Sequence, residues 1–284
     1  MIDPQRILII GSSGQLGQAL TNRFPEAVAV DRDTFDLTDW GKVAQYDWSK
    51  VDVIINAAAY TDVDGAETAE GRVMAWQANA VGVGYLARIA TQKNLTLIHY
   101  STDYVFDGTK SPHHEDEPLS PLGVYGQSKA AGDISVENTP RHYLIQTSWV
   151  IGQGKNFVRT MLGLAEKGIS PSVVSDQTGR PTFVSQLVDA TVHLLESGSP
   201  FGVYNVSNDG PVISWADFAR AIFKEGGFDD LKVTDITTEE YRGSKTGVAP
   251  RPAHSEFDLT KIGQTGLKLR DWRNDLSAYL KRSA

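Results

Sequence analysis

The sequence predicts an α/β fold, a doubly wound parallel sheet with a smaller C-terminal domain, and three observations carry that reading. Short apolar, β-branched runs recur with helix-period stretches between them, as parallel strands joined by crossover helices would. A glycine-rich turn follows the first of these runs. Past residue 150 the alternation becomes less regular, as an appended domain would make it.

At 284 residues the chain can bury a large core, as one domain or two closely joined. Its 40% hydrophobic and 22% charged residues are ordinary for a water-soluble globular protein. The net charge of −8 argues against nucleic acid or an anionic membrane as the main partner. With no cysteine, neither disulfides nor thiolate chemistry is open to it. Met1–Arg6 runs straight into an apolar strand, and no apolar run is long enough to span a bilayer. A cytoplasmic protein without leader or membrane segment is expected.

Arg6–Ile10 reads as a buried parallel strand. Gly11-Ser12-Ser13-Gly14-Gln15-Leu16-Gly17 follows, then a helical stretch to Phe24. Glycine suits a sharp turn, close approach to a pyrophosphate, and tight helix–strand packing. The helix N-terminus then offers free N–H groups to phosphates. An ordinary βα turn is the plain alternative, but the strand before and helix after favour a dinucleotide site. Ala27–Val30 is a second strand, ending at Asp31, where a carboxylate can accept hydrogen bonds from an adenosine ribose. Arg32 beside it can instead bind the 2′-phosphate of NADP. Asp31 favours NADH, Arg32 permits NADPH, and both stay open.

Val51–Ile55 is the third strand, closing with Asn56-Ala57-Ala58-Ala59, whose small side chains leave room for a ligand or for helix–sheet packing. Thr61–Glu70 reads as a polar loop with a short helix. Val73, Trp76, Ala80, Val83 and Ala87 mark one long helix over Arg72–Lys93. Leu95–Tyr100 is the next strand, leading into Ser101-Thr102-Asp103-Tyr104-Val105-Phe106. Ligands bind beyond the carboxyl ends of such strands, so the Ser101 and Thr102 hydroxyls should fall in the active crevice. His113 and His114 stand beside Glu115 and Asp116 in the loop His113–Pro121, where a solvated loop is expected rather than a metal site.

Tyr125 and Lys129 then stand four residues apart, one turn apart on one face if a helix opens there. A nearby ammonium lowers a phenol's pKa, and such a tyrosine can exchange a proton with a substrate oxygen near neutral pH. Alone, Tyr-x-x-x-Lys is more often a plain helix turn.

Arg141–Ser148 forms another strand, with Trp149 at its exit as either core or a flat wall for a sugar or base. Gly152–Asn156 is a loop, Phe157–Glu166 a helix, Asp176–Thr182 a polar turn, Val184–Leu195 a helix and Phe201–Val206 a strand. Ser214 is a fitting N-cap for a helix through Lys224. Arg251, between Pro250 and Pro252, suits a diphosphate or a ligand-free turn equally. Trp272–Arg282 is a final amphipathic helix.

The glycine turn, strand-end hydroxyls and Tyr125–Lys129, in that order, resemble the extended short-chain dehydrogenase/reductase family. Asn56–Ala59, Ser101–Phe106, Thr147-Ser148-Trp149, Asp176–Thr182 and Arg251-Pro252 sharpen the likeness to the dTDP-4-dehydrorhamnose reductases within it. The likeness implies a Rossmann-type domain over 1–150, completed by about 178–206, and a mainly substrate-binding domain over 151–284. It implies NADPH or NADH as cofactor, held by Gly11, Ser13, Gly14, Gln15, Leu16, Gly17, Asp31, Arg32, Asp36, Leu37, Ala57, Ala58, Ala59, Tyr125 and Lys129. It implies reduction of the C4 ketone of dTDP-4-dehydro-β-L-rhamnose, with Thr102, Tyr125 and Lys129 catalytic. Ser101, Thr102, Asp103, Tyr125, Trp149, Asn156, Gln177 and Arg251 are its implied substrate contacts, and a 3,5-epimerase a possible partner.

The chain also departs from the family pattern. Some members form dimers bridged by magnesium through glutamates, and here Ala19 and Ser185 stand at those positions, so no metal bridge is expected. Gln146 replaces a usual arginine, which should alter packing below the site. Two alternatives stay open: another nucleotide-sugar reductase, epimerase or dehydratase, and a non-catalytic regulatory subunit similar to the β subunit of methionine adenosyltransferase. Tyr104 after Asp103 disfavours dehydration, and Thr147-Ser148-Trp149 disfavours the regulatory reading.

Overall fold

The computed structural model describes residues 3–243 and 247–283; Met1, Ile2, Ser244, Lys245, Thr246 and Ala284 lie outside the described residues. Five strands, β1 (Ile7–Ile10), β2 (Val28–Val30), β3 (Val53–Asn56), β4 (Thr96–Tyr100) and β5 (His142–Gln146), join a sixth, Gly202–Asn205. They form one parallel sheet in the order sixth–β5–β4–β3–β1–β2. The chain runs outward from β1 to β2, then returns to lay β3 on the other side. A ligand crevice opens at such a reversal.

Register decides what lines that crevice. Ile10 pairs with Asn56, Asn56 with His99, Tyr100 with Ile145, and Gln146 with Asn205. The strands therefore end nearly level, and the residues just past them, from Gly11, Ala57, Ser101 and Thr147 onward, emerge along one edge.

Alternate residues of a strand point to opposite faces, and both faces here are apolar, as a covered parallel sheet requires. Ile7, Ile9, Val53, Ile55 and Ile98 pack with Leu20 of α1 (Gln15–Arg23) and Leu187 and Leu194 of α7 (Val184–Ser197). Leu8, Ile10, Ile54 and Leu97 pack with Val83, Leu86 and Ile89 of α4 (Gly82–Lys93) and Val136 of α5 (Val124–Glu137). A third core holds Val158 and Met161 of α6 (Phe157–Ala165), Phe218 and Ile222 of α8 (Trp215–Glu225), and Trp272.

Two expectations are corrected. The long helix starts earlier, with α3 (Ala69–Trp76), because the Thr68 hydroxyl accepts from Gly71 N–H. Between α3 and α4, Gln77–Val81 is wound wider, as a π-type turn. Asn79 in that turn is fully buried, accepting from Tyr60 N–H and donating to the Tyr60 carbonyl and the Ser128 hydroxyl. The His113 loop is not merely solvated. His113 is buried, stacked on Phe106 at 4.5 Å, with its ring nitrogens bonded to Glu117 and to the His254 carbonyl. Ser214 does cap α8, accepting from Asp217 N–H at 3.0 Å.

Candidate active site

The glycine turn is packed from below and open above. A Cβ on Gly11 would sit 2.5 Å from Ala58 N, and one on Gly17 only 2.0 Å from the Gly11 carbonyl oxygen. Gly17 thus lets α1 pack into the turn, and Gly11 adopts φ +85°, costly for any other residue. Gly14 is far less crowded, its nearest neighbour being the Gly11 carbonyl at 3.4 Å. No side chain caps the N-terminus of α1, leaving first-turn N–H groups for an anion.

A cavity of about 260 Å³ lies at one end of this turn, bounded by Asp31, Arg32, Asp36 and Leu37. A second, of about 480 Å³, holds Thr102, Tyr125, Lys129 and Trp149. Both reach Gly14 and Ala57, Ala58 and Ala59, so they form one trough across the strand ends. Gln15 and Leu16 line the larger cavity, and the Gln15 amide also accepts from Gly152 N–H at 2.9 Å, tying the turn to the second half. Asp31 accepts from the Thr34 amide and hydroxyl, and Asp36 from those of Thr38. A trough with an uncapped helix end midway and a carboxylate and guanidinium at one tip fits a dinucleotide.

In the larger cavity, Tyr125 opens α5 and meets Tyr104 edge to face at 5.5 Å. Burial pushes its phenol well above the usual value, with the nearby Thr102 hydroxyl acting in the opposite direction. The expected lowering by Lys129 is not what this structure has. Lys129 Nζ donates instead to the Tyr100 carbonyl at 2.6 Å and lies 3.1 Å from His99 Nε2, while burial lowers its amine to about 8. Desolvation outweighs proximity at both groups.

Thr102 donates to Asp103 at 3.1 Å and accepts from Tyr104 N–H. Asp103 is buried, takes the Ser255 hydroxyl, and is raised to about 6 by its burial. The Ser101 hydroxyl departs from expectation: it bonds the buried Asp133 rather than standing free in the crevice. Trp149 is at φ +47° and stacks on Trp215 with centroids 3.6 Å apart, a position fixed by the packing around it.

Three implied contacts stand off the wall of this cavity. Asn156 caps α6 and donates to the Gly152 carbonyl and the Tyr279 hydroxyl. Gln177 is buried and donates to Thr238. Arg251 is held by both oxygens of Asp64 at 3.0 Å. Ala19 and Ser185 share a separate groove between α1 and α7. Gln146, in the arginine's place, is buried with its side-chain oxygen unpaired.

Residues 5–284 match the model of the RmlD substrate binding domain family. The chain belongs to this family. It is 40% identical over 291 residues to a dTDP-4-dehydrorhamnose reductase of Aggregatibacter actinomycetemcomitans, covering 95% of this chain and 97% of the relative. It is 38% identical over 284 residues to the spore coat polysaccharide biosynthesis protein SpsK of Bacillus subtilis, covering 97% of each. The crystal structure of dTDP-4-dehydrorhamnose reductase from Bacillus anthracis in complex with NADP superposes with TM-score 0.88, at 33% identity, over 98% of this chain and 99% of that one.

Beside the family motifs stand residues that the sequence reading passed over: His99, Asp133 and Trp215. Asp133 lies four residues after Lys129, on the same helical face, and that spacing was a usable signal. A histidine in an apolar strand and a tryptophan opening a helix carry no local mark of a site.

Proposed function

We propose that this chain reduces the C4 ketone of dTDP-4-dehydro-β-L-rhamnose to the alcohol of dTDP-β-L-rhamnose, with Tyr125 as proton donor. The chain is an NAD(P)H-dependent reductase of its family, and no helix among the described residues is long and apolar enough to cross a membrane. A bound dihydronicotinamide supplies the hydride that the ketone carbon needs. The protein's residues must supply the proton and steady the oxygen.

One observation carries the reading: Tyr125 and Thr102 line one buried cavity that is continuous with the dinucleotide trough. A raised pKa keeps Tyr125 neutral at neutral pH, the form that can donate. As negative charge grows on the oxygen, the Tyr125 and Thr102 hydroxyls strengthen their hold on it. Lys129, which lines the same cavity, would hold the ribose next to the nicotinamide. Gly11, Ser13, Gly14 and the uncapped first turn of α1 would hold the pyrophosphate, with Ala57–Ala59 beside it and Asp31 or Arg32 at the adenosine end. Trp149 forms a flat wall for the deoxysugar.

Asp103, Asn156 and Gln177 act through the loops they hold, and Arg251 is the candidate for the diphosphate at the rim. From the half beyond residue 150, Lys155 and Leu187 border the substrate cavity, and a 3,5-epimerase, which inverts the centres on either side of the C4 ketone, is the natural supplier of the substrate. A cytoplasmic location suits a nucleotide-sugar substrate.

The test is Tyr125→Phe. Turnover should fall roughly 10²–10⁴-fold while cofactor affinity holds, since only the proton donor is lost. Near-normal turnover would remove Tyr125 from the mechanism.

A further inference from the structure

Beneath Lys129 lies a polar cluster that proton donation by Tyr125 does not use. Asn56, His99, Ser101, Lys129 and Asp133 are all buried, between 0% and 5% exposed, so their hydrogen bonds must be resolved among themselves. Ala58 N–H donates to Asn56 Oδ1 at 3.2 Å, which turns the Asn56 amide nitrogen toward His99. His99 Nδ1, 3.0 Å from that nitrogen, must therefore accept, and the neutral ring carries its proton on Nε2.

That Nε2 faces two groups. Lys129 Nζ is 3.1 Å away, and Asp133 Oδ1, which has no hydrogen-bond partner, is 4.0 Å away. Nε2–H can donate to Lys129 only while the lysine is a neutral amine. When Lys129 is an ammonium it can no longer accept, and the nearest remaining acceptor is Asp133 Oδ1, which a shift of the His99 ring would have to bring from 4.0 Å into hydrogen-bond range. Ser101 anchors the other oxygen of that carboxylate.

We propose that His99 and Asp133 are positioning residues for Lys129, a hydrogen-bond toggle that sets the pH at which the lysine carries its charge. The titratable groups around it are His99 from β4, Asp103 from the turn after β4, and Tyr125, Asp133 and Glu137 from α5. Asn56 from β3 and Asn79 from the wide turn bring no charge. Asp133 favours the ammonium, and Lys129 in turn disfavours a charged His99. The proposal rests on Lys129 serving the reductase site described above.

The experiment compares wild type with Asp133→Asn, following kcat and KM between about pH 6 and about pH 10, a range spanning the ordinary lysine pKa. Removing the carboxylate should move the alkaline limb of kcat to lower pH by about one unit, roughly tenfold in turnover on that limb, with KM nearly unchanged. Superimposable profiles would overturn the proposal. A second readout needs no turnover: ring nitrogen NMR of labelled histidine in the cofactor-free and cofactor-bound wild type, with Lys129→Met for comparison. His99 should show a bare Nδ1 and a protonated Nε2, with Nε2 shifting in Lys129→Met; a proton on Nδ1 would overturn the toggle. Should the wild type fail to reduce the sugar nucleotide, the substrate reading falls while the NMR still decides this one.

Discussion

At Tyr125 two effects oppose one another. A lysine one helical turn away favours the phenolate, whereas burial favours the phenol, and in this structure burial wins because Lys129 is turned to Tyr100 and His99. Spacing along the sequence showed which side chains share a face, but not what else would compete for Lys129. Arg32 poses the same kind of question at the other end of the trough. If its guanidinium reads a 2′-phosphate, Arg32→Ala should weaken NADPH roughly 10–150-fold, as a charge-assisted pair of about 1.5–3 kcal/mol implies, and leave NADH nearly untouched. Equal losses in a titration of the two cofactors would assign that role elsewhere. Asp103 supplies a pH signature. Burial keeps it protonated up to about pH 6, whereas in the unfolded chain such a carboxyl ionises near about pH 4. Between those values the folded state binds more protons, so this group makes stability fall as pH rises. Asp103→Asn should reduce that fall, and urea denaturation at about pH 4.5 and about pH 6.5 measures it. An unchanged difference between the two pH values would mean that Asp103 ionises freely when folded.

At the scale of elements, the wide turn Gln77–Val81 shows what a hydrophobic period cannot. Val73, Trp76, Ala80, Val83 and Ala87 fit one helix, and no periodicity registers a turn that widens to aim Asn79 at Tyr60 and Ser128. The partner helix is shaped to match. A Cβ on Gly132 of α5 would lie 2.1 Å from the Asn79 carbonyl oxygen. Gly132→Ala should therefore cost about 1–3 kcal/mol of stability, despite alanine's better helix propensity, and urea unfolding would show it. A stabilised variant would mean that the turn yields easily. The substrate side has its own support, since Trp149 is held at positive φ by its stack on Trp215. Trp215→Ala should raise KM for the sugar nucleotide roughly 2–10-fold, the equivalent of an aromatic pair, with a smaller effect on kcat. An unchanged KM would show that Trp149 keeps its place without the stack.

For the whole molecule, the alternation of strands and helices made the sheet legible, and the glycine turn marked its first crossover. The crevice also followed from chain order, because ligands gather where a parallel sheet reverses direction. Side-chain partners across long separations were not legible: Asn156, Gln177 and Arg251 carry motif positions, yet each is bonded to protein groups that only folding brings near. The same holds for His113, whose loop looks solvated in sequence and is sealed by Phe106 and Glu117. The most direct test of the account is therefore made on the intact protein. dTDP-4-dehydro-6-deoxyglucose is supplied with a 3,5-epimerase and either NADPH or NADH, and loss of nicotinamide absorbance is followed together with the product. The account predicts cofactor oxidation that depends on the epimerase and yields dTDP-rhamnose. Cofactor that binds but is not oxidised, with either nucleotide, would contradict it.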